Sequence, residues 1–384
     1  MRVFILTALA ALILPDVYIC TMFLRGTVWR IIWWLPSAAA LAATAAFLGG
    51  YNPQWIVRLL FFLLLCVALP KLIFCLFSAV GHAAAAAPSL TPLRRAADIA
   101  GLVLGSLAAA VFIYGFAFGW KQLTVRRTTL EFAGLPASFD GYRIVHFSDL
   151  HTGSFGSDTR FVRRLVERIN RQQPDAVMFT GDIVNSSYEE LAPFSSLLSQ
   201  IRARDGVYSV IGNHDYSEYH RWPVRDGAAR SLAEIIRTER SCGWQLLMNE
   251  HRIVTRGGDS IAIVGVENVG RPPFPSRGNL QAAVAGLPDH IFKVLLSHDP
   301  THWRAEVLPQ SDIDLMLAGH THAMQFRLWG FSPSAWTYDE WAGEYDSNGR
   351  KLYVSTGTGG TAPFRFGAWP CIDVITLRSK TISN

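Results

Sequence analysis

The chain reads as an all-α membrane region followed by an α/β domain. Three observations carry this. Four apolar stretches fill the first 120 residues. The whole formal net charge of +5 falls in those residues, which hold seven Lys/Arg and two Asp, while the remainder is balanced. Beyond residue 140, short β-branched runs alternate with amphipathic helical spacings, the rhythm of layered α/β folds. Half of the 384 residues are hydrophobic and only 17% are charged, well short of the quarter usual in soluble domains. This composition excludes a largely disordered chain.

The apolar stretches run over about 3–23, 31–48, 56–80 and 99–120. Each approaches the roughly 20 residues that cross a bilayer as a helix. Arg25, Arg30, Arg58, Arg94 and Arg95 lie at or between their ends, and so do Trp29, Trp33, Trp34, Trp55 and Trp120. Indole rings favour that interface. The first stretch does not read as a signal peptide, since no small-x-small site closes it and three more spans follow. Asp16 and Lys71 interrupt two spans and read as polar residues turned toward a bundle interior. Four spans put both termini on one side, and the Arg25/Arg30 pair after the first span favours the outside of the cytoplasm. The expected setting is a bacterial inner membrane, with the lipid bilayer as partner and the following domain extracytoplasmic. The sequence pI near 9.0 comes from residues flanking apolar segments, so nucleic acid is not an expected partner. Five cysteines without a CxxC pair exclude a disulfide framework.

The domain plan is a transmembrane region over 1–120, a linker and first edge over 121–139, and an α/β domain over 140–384. Tyr142–Phe147, Asp175–Thr180 and Gly206–Ile211 read as strands. Asp158–Arg171 reads as a helix with Phe161, Leu165, Val166 and Ile169 on one side, and Tyr188–Ala203 as a second helix. Trp222–Thr238 is partly helical. Trp244–Met248, Arg252–Thr255 and Ile261–Val266 read as short strands. Phe292–Leu296 and Ile313–Leu317 read as buried strands with a short helix from Trp303 between them, and Lys351–Ser355 and Ile372–Leu377 close the domain. An early βαβ rhythm with a later strand-rich half predicts stacked sheets with helices outside.

Polar clusters follow five of these strands. They are Asp149 and His151 in SDLHTG; Gly181 and Asp182 in TGDIVN; Gly212–Asn213–His214–Asp215; His298 and Asp299 in LLSHDP; and Gly319–His320–Thr321–His322. Each alone is an ordinary turn or a packed histidine. Five at strand ends, where α/β ligand sites gather, point to one convergent site. The Asp, His and Asn side chains offer the oxygen and nitrogen ligands that suit Mn, Fe, Zn or Co. A carboxylate can bridge two ions, and two ions about 3.5–4 Å apart can activate water and clamp a phosphate.

This ordered set resembles the calcineurin-like metallophosphoesterase superfamily over residues 140–325. Within it the likeness is to the bacterial YkuE/YaeI-like membrane-associated phosphoesterases, which the tail Tyr353–Gly359 and Ala362–Gly367 also resembles. A four-span front end is similar to that of the vertebrate transmembrane protein with a metallophosphoesterase domain. The resemblance implies a four-layer α/β/β/α sandwich and a metal-dependent phosphoric ester hydrolase with two divalent ions. Asp149, His151 and His322 would hold one ion, and Asn213, His298 and His320 the other, with Asp182 bridging. His214 would protonate the leaving group, and Asp215 would orient His214 by hydrogen bonding. One departure is that no Arg follows the Gly181–Asp182 motif, so a phosphate contact found in some branches is absent.

The expected substrate is a phosphodiester, pyrophosphate or phosphomonoester, including amphiphilic esters such as lipids or lipid precursors, since tethering keeps the site near a membrane. Trp336, Tyr338, Trp341, Tyr345, Phe364, Phe366 and Trp369 either line a groove or pack as core, and Arg365 either meets a phosphate or pairs with an acid. Two other classes fit less of the pattern. A metal-binding scaffold has no use for His214, and a transporter with a regulatory domain needs more buried polar groups in its spans.

Overall fold

The computed structural model describes residues 2–51 and 53–380. It divides into two compact units, the first reaching Gly119 and taking in Ala362–Phe366, the second holding the rest.

The first unit is helical: α1 (Arg2–Met22), α2 (Thr27–Leu48), α3 (Gln54–Leu63), α4 (Leu69–Ala84) and α5 (Thr91–Ala117). Helices α3 and α4 are continuous through a π-helical turn over Leu64–Ala68. Pro70 explains the turn. It has no N–H and its ring crowds the carbonyl four residues back, so the helix widens and the Leu69 N–H bonds the Leu64 carbonyl instead. Among the described residues three helices, Thr27–Leu48, Gln54–Ala84 and Thr91–Lys121, are long and apolar enough to cross a membrane, with Ala10–Met22 a shorter apolar helix. Asp16 and Lys71 are each other's partners. The Lys71 ammonium donates to Asp16 Oδ1 at 2.7 Å and to Ser37 Oγ at 3.3 Å, and lies 4.7 Å from the Trp33 ring centre. Three helices are thereby cross-linked by one buried pair. Phe364 also packs in this unit, its ring 5.5 Å from Phe112 and 5.1 Å from Phe116.

The second unit has two six-stranded sheets. The first contains β1 (Thr124–Phe132), β2 (Arg143–Phe147), β3 (Ala176–Phe179), β4 (Val207–Ser209), β5 (Gln245–Leu246) and β12 (Cys371–Ser379), in the order β1-β12-β2-β3-β4-β5. The second contains β6 (Glu250–Arg256), β7 (Asp259–Gly265), β8 (Phe292–Leu296), β9 (Leu315–Ala318), β10 (Gly343–Ser347) and β11 (Arg350–Val354), in the order β10-β11-β9-β8-β7-β6. β2 to β5 pair in parallel, as do β7, β8, β9 and β11.

Alternation along the strands builds the layers. Ile144, Met178, Ile263, Val294, Leu317 and Ile375 form one core between the sheets. Their neighbours Val145, Phe147, Val177 and Phe179 face the other way, onto Phe161, Leu165 and Ile169 of α6 (Arg160–Arg171) and Ile235 of α8 (Gly227–Ser241). On the far side, Val264, Leu295 and Met316 pack on Leu280, Trp303 and Val307. The order helix, sheet, sheet, helix is the four-layer α/β/β/α sandwich that the sequence implied.

One expected helix is broken. Tyr188–Ala203 forms a 3-10 turn over Tyr188–Leu191 and then the short α7 (Ser195–Leu198). Pro193 lies between them and has no N–H to donate back to the preceding turn, so the run of helical hydrogen bonds is interrupted there. The strand β1, the edge of the first sheet, falls in the stretch read as linker and first edge, and β10 is an addition to the sequence reading.

The buried pair gives a test. Lys71→Met or Asp16→Leu alone strands a charge in an apolar bundle, at a cost of about 3–5 kcal/mol, whereas the double replacement removes most of that penalty. Thermal unfolding of the full chain in detergent should show both single variants far below the double variant. Additive losses would contradict it.

Candidate metal centre

Parallel strands deliver the site. The loops after β2, β3, β4, β8 and β9 carry all the sequence-predicted residues, and they converge on one patch. Asp149, His151, Asp182 and His322 bring one donor atom each to within 4.8 Å of one another. Asp182, His298 and His320 form a second such group. Asp182 belongs to both.

The corners are sharp. Asp149, His151, Asp182, His320 and His322 have φ of 53°, 48°, 60°, 69° and 51°. Left-handed backbone is disfavoured for side chains with a Cβ and persists where the surroundings over-determine it, commonly at functional sites. Two glycines permit the approach. A Cβ on Gly212 would strike the backbone nitrogen of Asp182 at 2.5 Å, and one on Gly319 would strike the Ser148 side chain.

Within the first group His151 Nε2 lies 3.2 Å from His322 Nε2 and 3.6 Å from Asp182 Oδ2, and His322 Nε2 lies 3.3 Å from Asp149 Oδ1. Within the second, His298 Nε2 is 3.1 Å from Asp182 Oδ2 and 3.3 Å from His320 Nδ1. Neighbouring groups fix the ring orientations. His298 Nδ1 donates to the Thr180 carbonyl at 2.6 Å, which leaves Nε2 free for the cluster. His320 turns Nε2 to Tyr338 Oη at 3.0 Å and Asp299 Oδ2 at 3.7 Å, leaving Nδ1 inward.

The donor set fits cations. Asn213 is buried; its amide nitrogen donates to Tyr219 Oη at 3.0 Å, but its Oδ1 has no hydrogen-bond partner. A buried amide oxygen left alone is costly, and a cation there would satisfy it. Asp149 and Asp182 are also buried together. Burial pushes the Asp149 carboxyl up to about 6, a rise that His298 opposes and Asp182 adds to. Burial would raise Asp182 as well, but His298, His214 and His151 hold it well below the usual carboxylate range. Buried carboxylates call for positive charge, which a metal ion supplies.

His214 stands at the edge of both groups, its ring 4.8 Å from that of His151 and 4.7 Å from that of Tyr219. Its backbone N–H donates to Asp182 Oδ1 at 2.8 Å. Its ring corrects an expectation. Nδ1 donates to the Asn185 carbonyl at 2.7 Å, so a backbone oxygen orients the imidazole. The hydrogen bonds of Asp215 go to backbone instead. It accepts from the N–H groups of Asp182, Ile183 and Gly212 at 2.8, 2.8 and 2.9 Å, pinning the Asp182 corner to the Asn213 loop.

Other residues escaped the sequence reading. Glu190 accepts from the backbone N–H of Gly153, Asn185 and Ser186 at 3.1, 2.5 and 3.0 Å and ties the first two ligand loops together. Tyr219 and Tyr338 touch Asn213 and His320. In the sequence Tyr338 reads only as one of the aromatics that line a groove or pack as core, Glu190 only as an acid at the start of an expected helix, and Tyr219 leaves no trace. Arg365 is fully buried, and Trp336 is exposed.

A layered sandwich whose strand ends gather Asp and His donors in two groups around one carboxylate presents a candidate dimetal site. Residues 142–324 match the family described as calcineurin-like phosphoesterase, and the chain carries that domain, which is a metal-dependent phosphoesterase domain. YkuE of Bacillus subtilis, an uncharacterized metallophosphoesterase, is 27% identical over 296 residues, covering 72% of this chain and 95% of its own. Transmembrane proteins with a metallophosphoesterase domain are 28% identical in Danio rerio and 30% in Bos taurus. These matches cover 57% and 64% of this chain, and the chain spans about half the length of these two relatives, 49% and 55%.

Glu190→Ala leaves three backbone donors without their acceptor, and a buried donor left unsatisfied costs about 1–3 kcal/mol. The full chain should melt several degrees lower and hold metal less tightly in a chelator titration. Unchanged metal retention would show that Glu190 does not shape the ligand loops.

Proposed function

We propose that this protein is a membrane-anchored two-metal phosphoesterase acting on a phosphodiester, pyrophosphate or phosphomonoester with an amphiphilic group. Asp149, His151 and His322 hold one divalent ion, and Asn213, His298 and His320 the other, as Mn, Fe, Zn or Co. The observation that carries this is Asp182, shared by both donor groups. Bound ions supply an activated water and positive charge opposite the phosphoryl oxygens.

The chain's own residues supply the rest. The carbonyl of Asn185 can only accept, so His214 Nδ1 carries a proton and Nε2 is the atom open to a ligand. As imidazolium, His214 stabilises the extra charge on phosphorus-bound oxygen and gives the Nε2 proton to the leaving oxygen. Asp215 holds the Asp182 corner through backbone donors, so it is a positioning residue. Tyr219 braces both Asn213 and the His214 ring. Apolar spans before the domain support a bilayer-bound enzyme, and the Arg25/Arg30 bias favours an extracytoplasmic domain on a bacterial inner membrane.

His214→Ala should leave metal content unchanged and lower turnover of bis-p-nitrophenyl phosphate by about a hundred- to ten-thousand-fold, the usual range for losing a general acid. Full turnover with retained metals would contradict this role and favour a metal-binding scaffold.

A further inference from the structure

The segment from Ala323 to Tyr338 bears apolar surface that the fold does not bury. Leu328 and Phe331 exchange backbone hydrogen bonds of 2.9 and 3.0 Å, closing a two-residue hairpin on Trp329 and Gly330. Trp329 is 95% exposed and Trp336 79%, with Phe331 and Met324 also exposed. Trp329 sits at the tip with a φ of 48°, in a turn conformation that ordinarily takes Asn, Asp or Gly. Ala323, Met324 and Gln325 are left-handed too, at 50°, 43° and 57°. A large indole held in water on strained backbone needs a reason beyond folding.

Both ends of the segment are fastened at the metal centre. Ala323 follows His322, and its carbonyl accepts from Ser332 Oγ at 2.7 Å. Tyr338 Oη meets His320 Nε2 at 3.0 Å. Phe331 and Trp336 lie 5.5 Å apart and join the two arms. The one cation in the hairpin, Arg327, is turned over the Trp341 ring, 5.5 Å from its centre. An apolar surface thus starts at two residues whose side chains or neighbours form the donor groups.

We infer that this hairpin is the specificity element of the site: it receives the alkyl or acyl chain of an amphiphilic phosphate ester whose phosphate lies at the Asp/His cluster. The inference rests on the phosphoesterase reading above and deepens it to a substrate class. An aliphatic chain fits because the surface is mainly aromatic and begins at the phosphate end, and its one charge, the exposed Arg327, is stacked on Trp341. A second protein copy would use such a surface without reference to the ligands.

The test uses the full chain in detergent with the methyl, butyl and octyl esters of p-nitrophenyl phosphate. Each buried methylene strengthens binding by up to about three- to fourfold, so kcat/KM should rise at least tenfold from methyl to octyl. In Trp329→Ala/Trp336→Ala the rise should fall below twofold, with the methyl ester hydrolysed at the wild-type rate, and Trp329→Phe should keep most of the rise. Comparing the variants at one detergent concentration cancels partition of the octyl ester into micelles. A flat series in wild type, or an equal rise in the double variant, overturns the inference while leaving the phosphoesterase reading intact. Loss of the methyl ester in the double variant also overturns it, because the hairpin would then serve the chemistry rather than the chain. No hydrolysis of any ester overturns both readings.

Discussion

The structure depends on how Asp182 is held. Its carboxylate must reach two groups of donors at once, and a left-handed corner at the end of β3 aims it there. That corner is unfavourable by itself. It is held from three sides: Asp215 takes its backbone N–H, the His214 backbone donates to Oδ1, and Gly212 leaves room for the crossing. Burial then raises the cost of the negative charge, and the surrounding imidazoles offset it. Strain, burial and charge are concentrated at the one residue that both donor groups share.

The sandwich makes this affordable. Parallel strands in both sheets end on the same edge of their layers, so loops distant in sequence meet without long excursions. Residues such as Val145 and Ile144 face opposite ways, filling two different cores and leaving the strand ends free for polar work. Strand ends position the donor residues, and the hairpin after His322 carries exposed aromatic side chains.

Much of this was legible in the sequence. Phe292–Leu296 is apolar except for Lys293 and matches its strand end for end, because a buried parallel strand has apolar neighbours on both faces. The ligand clusters were legible because each follows such a run. What was not legible depended on single residues acting at a distance. Pro193 divides an amphipathic stretch, and Pro70 opens a π turn without ending the helix. The partner of the His214 ring is a backbone carbonyl, which no side-chain pattern announces, and the nearby Asp215 was the natural but wrong choice. Lys71 and Asp16 are 55 positions apart, so their pairing emerges only once the helices pack.

The most direct measurement of the central claim is anomalous diffraction from the metal-loaded full chain. The account predicts two peaks about 3.5–4 Å apart, both within coordination distance of Asp182, one beside His151 and His322 and the other beside Asn213 and His298. A single peak, or two ions that do not share Asp182, would contradict it.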